Sequence, residues 1–75
     1  MNQSVKDAAA IFKALGEETR LKIVKLIAAR GNSLCVGAIA KHLDISQPAV
    51  SQHLKVLKNA GLVEANRRGF HVHYC

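Results

Sequence analysis

The sequence has little of what small proteins often use to hold themselves together. It contains no tryptophan, one tyrosine and two phenylalanines, so leucine, isoleucine, valine and alanine must supply most of the core. Two cysteines, Cys35 and Cys75, are too few for a secreted disulfide framework, which indicates reduced thiols. No apolar run approaches the ~18 residues of a membrane span, and the N-terminus lacks the pattern of a secretory signal. We therefore expect a cytoplasmic protein.

Acidic residues are also scarce. Five Asp and Glu stand against eleven Lys and Arg, which gives a net charge of +6. Such a charge favours a polyanionic partner. Because the basic residues are spread from Lys6 to Arg68 rather than gathered on one helix face, they favour nucleic acid over a membrane surface.

The length of 75 residues allows one domain, and apolar spacing predicts two helices in its first half. The first runs from Val5 to Leu15 and stops at Gly16. The second runs from Glu17 to Arg30, acidic at its start and basic at its end, as the helix dipole favours. Apolar residues recur at helical spacing at Ala8, Ile11, Phe12 and Leu15 in the first helix; in the second, which we expect to be well buried, they form a stripe of Leu21, Val24, Ile27 and Ala28.

The middle of the chain predicts a helix, a tight turn and a second helix. Residues 33–35 form a short strand in this interpretation, Val36 to Leu43 the first helix, and Gln47 to Ala60 the second. Ser46 is placed to cap the second helix with its hydroxyl, and Pro48 lies in its first turn, where no intrahelical donor is lost.

After Gly61 the sequence predicts a β-hairpin with strands over residues 62–66 and 70–75. Arg67 and Arg68 then lie at its tip. Strand alternation predicts that one set of side chains faces the core and the other faces outward, namely Phe70, Val72 and Tyr74 against His71, His73 and Cys75. The fold predicted for residues 1–75 is mainly α with a small β-hairpin, a winged helix-turn-helix with the helix-turn-helix at about 36–60 and the wing at about 62–75.

The outward face of the predicted helix from Gln47 to Ala60 is almost entirely hydrogen-bonding. One α-helix fits the DNA major groove, where Gln and Asn pair bidentately with adenine, and Ser and Lys reach bases or phosphates. Many surface helices carry such residues, so the inference that this helix binds DNA also depends on the turn, the cap and the basic hairpin tip. Arg67 and Arg68 fit a contact with the DNA backbone or minor groove, the alternative being a solubilising turn.

The sequence resembles the ArsR/SmtB family of dimeric winged-helix repressors over nearly its whole length. The resemblance covers the segments FKALGEETRLKIVKLI and SLCVGAIAKHLDISQPAVSQHLKVLKNAGLVEANRRGFHVHY. The stretch ISQPAVSQHLKVLKNAGLV is similar to that family's recognition-helix signature. For His53, which lies beside Val50 and Leu57, a packed histidine at the core edge is the alternative to a DNA contact. The resemblance implies DNA contacts at Ser46, Gln47, Ser51, Gln52, His53 and Lys55, with Arg67 and Arg68 in the wing.

Many members of that family release DNA on binding a metal ion, and one of their sites is a Cys-Val-Cys segment. At residues 35–37 this chain has only Cys35, so a small buried hydrophobe is the favoured interpretation of that thiol. His71, His73 and Cys75 lie two apart on one strand and form a candidate metal site. Pairing of the strand at Cys35 with the last strand predicts an approach of Cys35 to Cys75, and hence a candidate redox disulfide.

The sequence therefore predicts a homodimeric repressor that binds a palindromic operator in double-stranded DNA, without a membrane partner, and that a metal ion or redox signal releases. No cofactor is required; the metal ion would be an effector. The alternative is a winged-helix protein-interaction module without operator specificity. An enzyme is not expected, because the sequence offers no activated nucleophile, paired carboxylates or phosphate loop. Family members usually continue into a C-terminal dimerisation helix, which this sequence lacks, so that it is either a fragment or a minimal member. Dimerisation is then expected to depend on the apolar face of Ala8, Ile11, Phe12 and Leu15.

Overall fold

The computed structural model describes residues 2–30, 34–68 and 71–74. Within these ranges it has the predicted order of elements, and its mainly helical fold confirms the winged helix-turn-helix. The helices and strands are α1 (Asn2–Leu15), α2 (Glu18–Arg30), β1 (Leu34–Cys35), α3 (Val36–Leu43), α4 (Gln47–Asn59), β2 (Ala65–Arg68) and β3 (His71–Tyr74). In the described part of the chain, no helix has both the length and the apolar character needed to cross a bilayer.

The turn between α3 and α4 is fixed by local conformations. Asp44 ends α3 in the left-handed region, with φ 57° and ψ 47°, which Asp tolerates better than most residues. The Ile45 N–H donates to the Ala40 carbonyl at 3.1 Å, and this hydrogen bond spans Asp44 and closes the last turn of α3. Ser46 is extended and its Oγ accepts from the Ala49 N–H at 3.2 Å, which confirms the predicted cap of α4.

The inner face of α4 forms the centre of the core. Val50, Leu54 and Leu57 are fully buried, as their spacing predicts. They meet Ile23 of α2 and Ile39 of α3, which are also fully buried. The core thus fixes α4 from within, and the orientation of its outer face follows from this packing.

The buried face of α2 differs from the predicted stripe. In α2 the buried residues are Ile23 and Ile27, whereas Leu21 is 44% exposed. Apolar residues occur all around α2, so periodicity alone is compatible with burial of several different faces. Contact with the rest of the core determines which face is buried. In α1 the buried residue is Ala14, whereas Phe12 is 74% exposed. Among the other residues of the two predicted apolar sets, Ile11, Leu15 and Val24 are half-buried, and Ala8 and Ala28 are exposed.

The helix α4 ends in a Schellman motif. Gly61 has a φ of 80°, its N–H donates to the Lys58 carbonyl at 3.0 Å, and the Leu62 N–H donates to the Leu57 carbonyl at 2.9 Å. This motif turns Leu62 and Val63 back onto the core instead of into a strand. The predicted bounds of the first hairpin strand, residues 62–66, were therefore wrong; the observed strand is β2, Ala65–Arg68.

The sheet has the order β1-β3-β2, with antiparallel pairs throughout. As predicted, the short strand before α3 pairs with the last strand, and Cys35 lies opposite His73. Arg67 and Arg68 pair with Val72 and His71 inside the hairpin, so placing them at its tip was wrong; the strand extends two residues further than predicted. Tyr74 packs against the core, whereas Phe70 and Cys75, also named in the prediction, lie outside the described residues.

Candidate nucleic-acid interface

The outer face of α4 is polar, free of acidic residues and exposed. It lies opposite the fully buried Val50, Leu54 and Leu57, so its side chains extend from a helix that the core holds in place. No acidic residue occurs in the first turn of α4 either, where an anion would meet free backbone N–H groups. The predicted contact residues that the structure places on this face or at its start are exposed, namely Ser46, Gln47, Ser51, Gln52 and Lys55, together with Lys58 and Asn59 farther along.

The cap at Ser46 gives a direct test of how α4 begins. Replacing Ser46 by alanine removes the acceptor of the Ala49 N–H, and we expect the free energy of unfolding to fall by about 0.5–2 kcal/mol. Urea denaturation followed by circular dichroism measures this change. Ser51→Ala is the matched control, because Ser51 is exposed within the same helix; a loss as large as that of Ser46→Ala would contradict the capping role.

His53 differs from the other predicted contact residues. Its side chain is 24% exposed, and its Nδ1 lies 3.7 Å from Oε2 of Glu17, in the connection between α1 and α2. This placement favours the packed histidine at the core edge over a side chain that reaches into a DNA groove. A direct DNA contact by His53 stays a prediction.

Glu17 is part of a tightly connected corner between α1 and α2. Its Oε2 accepts from the Arg20 N–H at 3.0 Å, and the Arg20 guanidinium in turn donates to the carbonyls of Ala14 and Lys13. The hydrogen bond from the Arg20 N–H is the largest influence that holds the pKa of the Glu17 carboxyl below its ordinary value. The pairing of Glu17 with His53 was not predicted. The spacing of Glu17 and Arg20 is typical of a helix start, but nothing in the sequence indicates which distant residue the carboxylate meets.

The predicted wing and metal residues are described less fully. Arg67 and Arg68 lie on β2, and His71 and His73 on β3, as backbone positions. Cys35 is half-buried, so its interpretation as a small buried hydrophobe stays a prediction. Since Cys75 lies outside the described residues, its approach to Cys35 stays a prediction. Among the side chains that the structure describes, no three His, Cys, Asp or Glu come together as metal ligands.

The similarity to known proteins includes the whole helix-turn-helix. Residues 17–65, from the α1–α2 corner to the start of β2, match the family described as bacterial regulatory protein, arsR family. The chain belongs to the ArsR family. This confirms the resemblance inferred from the sequence.

Two relatives show how far the ArsR similarity extends. An uncharacterised helix-turn-helix transcriptional regulator of Methanocaldococcus jannaschii is 48% identical over 67 residues, which are 89% of this chain and 74% of that protein. The arsenical resistance operon repressor of Escherichia coli is 45% identical over 64 residues, covering 85% of this chain and 54% of the repressor. The chain thus spans about half of this second relative.

A solved structure supports the same architecture. The homodimeric winged helix-turn-helix DNA-binding domain of a possible ArsR-family regulator from Mycobacterium bovis superposes with a TM-score of 0.90 at 34% identity. The match covers 97% of this chain and 66% of that one. This ArsR-family chain is a DNA-binding transcriptional regulator.

Proposed function

We propose that the protein is a repressor that binds a palindromic operator as a homodimer, with the α4 of each protomer in one of two successive major grooves. The observation that carries this proposal is the outer face of α4, which is exposed, hydrogen-bonding and without acidic residues. Gln47 and Gln52 can each pair bidentately with adenine, while Lys55 suits a base or a phosphate. The homodimeric state of the Mycobacterium bovis neighbour supports two copies related by a twofold axis.

Charge supports DNA as the partner. The net charge of +6 gives non-specific attraction to the phosphate backbone, on which base reading by α4 is superimposed. The relative in Escherichia coli is named as an operon repressor, which supports repression rather than activation. In this proposal the protein acts in the cytoplasm as a regulator, catalyses no reaction and requires no cofactor.

A thiophilic metal ion or an oxidant is the proposed effector. The relative in Escherichia coli is named for arsenical resistance, and β1 brings Cys35 opposite His73 on β3. Opposed residues of an antiparallel pair have Cβ atoms about 4.5–5.5 Å apart, a spacing that suits a thiolate and an imidazole as two ligands of one soft ion. His71 and Cys75 would be further ligands from the same strand segment. A Cys-Val-Cys site is not proposed, because residue 37 is glycine.

Selection of bound fragments from a random DNA pool tests the proposal. The selection uses the protein at about 0.15 M salt under reducing conditions, and is repeated with zinc, with arsenite and with a mild oxidant. We expect a palindromic sequence that is lost from the bound pool in at least one of these additions. Binding without sequence preference would contradict the proposed repressor and favour a winged helix that binds protein. A palindrome retained under all additions would contradict only the effector.

The wing arginine Arg68 has a predicted role distinct from that of α4. Replacing Arg68 by alanine removes one positive charge from β2, and we expect weaker binding to operator and random DNA alike. The slope of log affinity against log salt should fall in magnitude by about 0.9, corresponding to one phosphate contact. Fluorescence anisotropy over a salt series measures the slope. Lys22→Ala is the control, since Lys22 pairs with Glu18 on α2; an equal loss of slope in both variants would contradict a specific wing contact.

A further inference from the structure

The contact between Glu17 and His53 joins two parts of the molecule that are far apart in sequence. Glu17 lies in the corner between α1 and α2, and His53 lies on the recognition helix next to Gln52. Both side chains are partly buried, with 39% and 24% of their surfaces exposed. The contact therefore lies between the corner and the helix, shielded in part from water, where charges interact more strongly than at the surface.

The corner side of this contact is held in place. Glu17 accepts the Arg20 N–H, and the Arg20 side chain binds the carbonyls at the end of α1. The carboxylate is therefore an oriented group, attached to the start of α2 and the end of α1 at once. A glutamate carboxyl is ionised near neutral pH at its ordinary pKa, and the hydrogen bond from the Arg20 N–H lowers this pKa further.

The charge that faces His53 is dominated by Glu17. Residues one helical turn away on α4 are Ala49, Val50, Val56 and Leu57, none of which titrates. Among other elements, Arg20 of α2 is bound to Glu17, and Lys13 of α1 lines a groove with Asn59, farther along α4. On α3, Lys41 and His42 are exposed, and His42 lines a separate groove with Lys22 and Lys25 of α2.

The geometry decides what kind of interaction this is. At 3.7 Å the two atoms are too far apart for a hydrogen bond, so the attraction is Coulombic and reaches full strength only with a protonated imidazole. We infer that Glu17 positions the recognition helix through His53, by the attraction between its carboxylate and the imidazole 3.7 Å away. The inference rests on the proposed function, because the consequence of the link is base reading by α4.

A double-mutant cycle without DNA tests the link itself. Glu17→Gln keeps an oxygen acceptor for the Arg20 N–H but removes the charge, and His53→Gln removes the imidazole. We expect each single variant to lower the midpoint of thermal unfolding, and the double variant to lower it no further. Glu18→Gln is the matched control, because Glu18 pairs with Lys22 and not with α4.

The second measurement uses the operator recovered by selection. For each variant, the ratio of its affinities for operator and scrambled DNA cancels the general effect of a charge change. At about pH 6 we expect this ratio to fall roughly threefold to tenfold in Glu17→Gln and in His53→Gln, without a further fall in the double variant. The ratio of Glu18→Gln should match that of the unmodified protein.

The outcomes separate the two proposals. Absence of any preferred DNA sequence for the unmodified protein would contradict the proposed function, and the positioning role with it, whatever the unfolding cycle shows. A preferred operator combined with additive effects of the two substitutions would overturn the positioning role and leave the repressor in place.

Discussion

Replacing Leu54 by alanine is expected to lower the free energy of unfolding by about 2–5 kcal/mol, the range measured for large cavities in protein cores. Leu54 is fully buried on the inner face of α4, among residues contributed by α2 and α3. Since domains have total stabilities of only about 5–15 kcal/mol and small ones lie at the low end, much of the protein should be unfolded. Urea denaturation and the circular dichroism of the protein without denaturant measure this loss.

Val56→Ala is the control for this substitution. Val56 belongs to the same helix but is 41% exposed, so its truncation leaves no buried cavity. We expect a loss of less than about 1 kcal/mol. Similar losses of unfolding free energy in both variants would mean that the effect of alanine in α4 does not depend on burial. This would contradict the central position of Leu54 in the core.

The second large effect is expected on DNA recognition. Replacing Gln52 by alanine should reduce the ratio of operator affinity to random-DNA affinity by about fivefold to 150-fold, since a bidentate contact with a base is worth about 1–3 kcal/mol. Gln52 is exposed, so the fold should be unaffected. Anisotropy titrations with operator and scrambled duplexes measure the ratio, and the same position of the operator should lose its preference in a repeated selection.

Lys58→Ala shows whether the effect of Gln52 is specific. Lys58 is exposed in the last turn of α4, and its removal should weaken binding to both duplexes by similar factors. If Gln52→Ala also lowered both affinities equally, Gln52 would bind a phosphate or the sugar rather than a base edge, and the base-reading role of this helix face would have to be reassigned.

The helix-turn-helix could be predicted nearly residue by residue because its signals are local. A serine that caps, a proline in the first helical turn, and apolar residues at the spacing of Val50, Leu54 and Leu57 each act within a few positions. The exposure of the polar face of α4 follows from the same periodicity. These features need no knowledge of the rest of the fold.

Features that depend on packing between distant segments could not be predicted in this way. Apolar residues surround α2, and contact with α3 and α4 selects Ile23 and Ile27. At the other end, the bonds around Gly61 direct Leu62 and Val63 onto the core, so that the hairpin starts later than alternation suggests. The contact of Glu17 with His53 is of the same kind, because only the assembled fold brings these residues together.

The strand order has a consequence for solubility. With β3 in the middle, β2 has one neighbour in the described sheet, and its other side is an open edge of backbone donors and acceptors. Such edges recruit strands of other molecules and lead to aggregation unless they are short or charged. Here the edge strand has four residues, two of them Arg67 and Arg68. The two arginines proposed to contact DNA thus also place positive charge on this edge strand, which disfavours edge-to-edge pairing. We expect their replacement by apolar residues to reduce solubility as well as affinity for DNA.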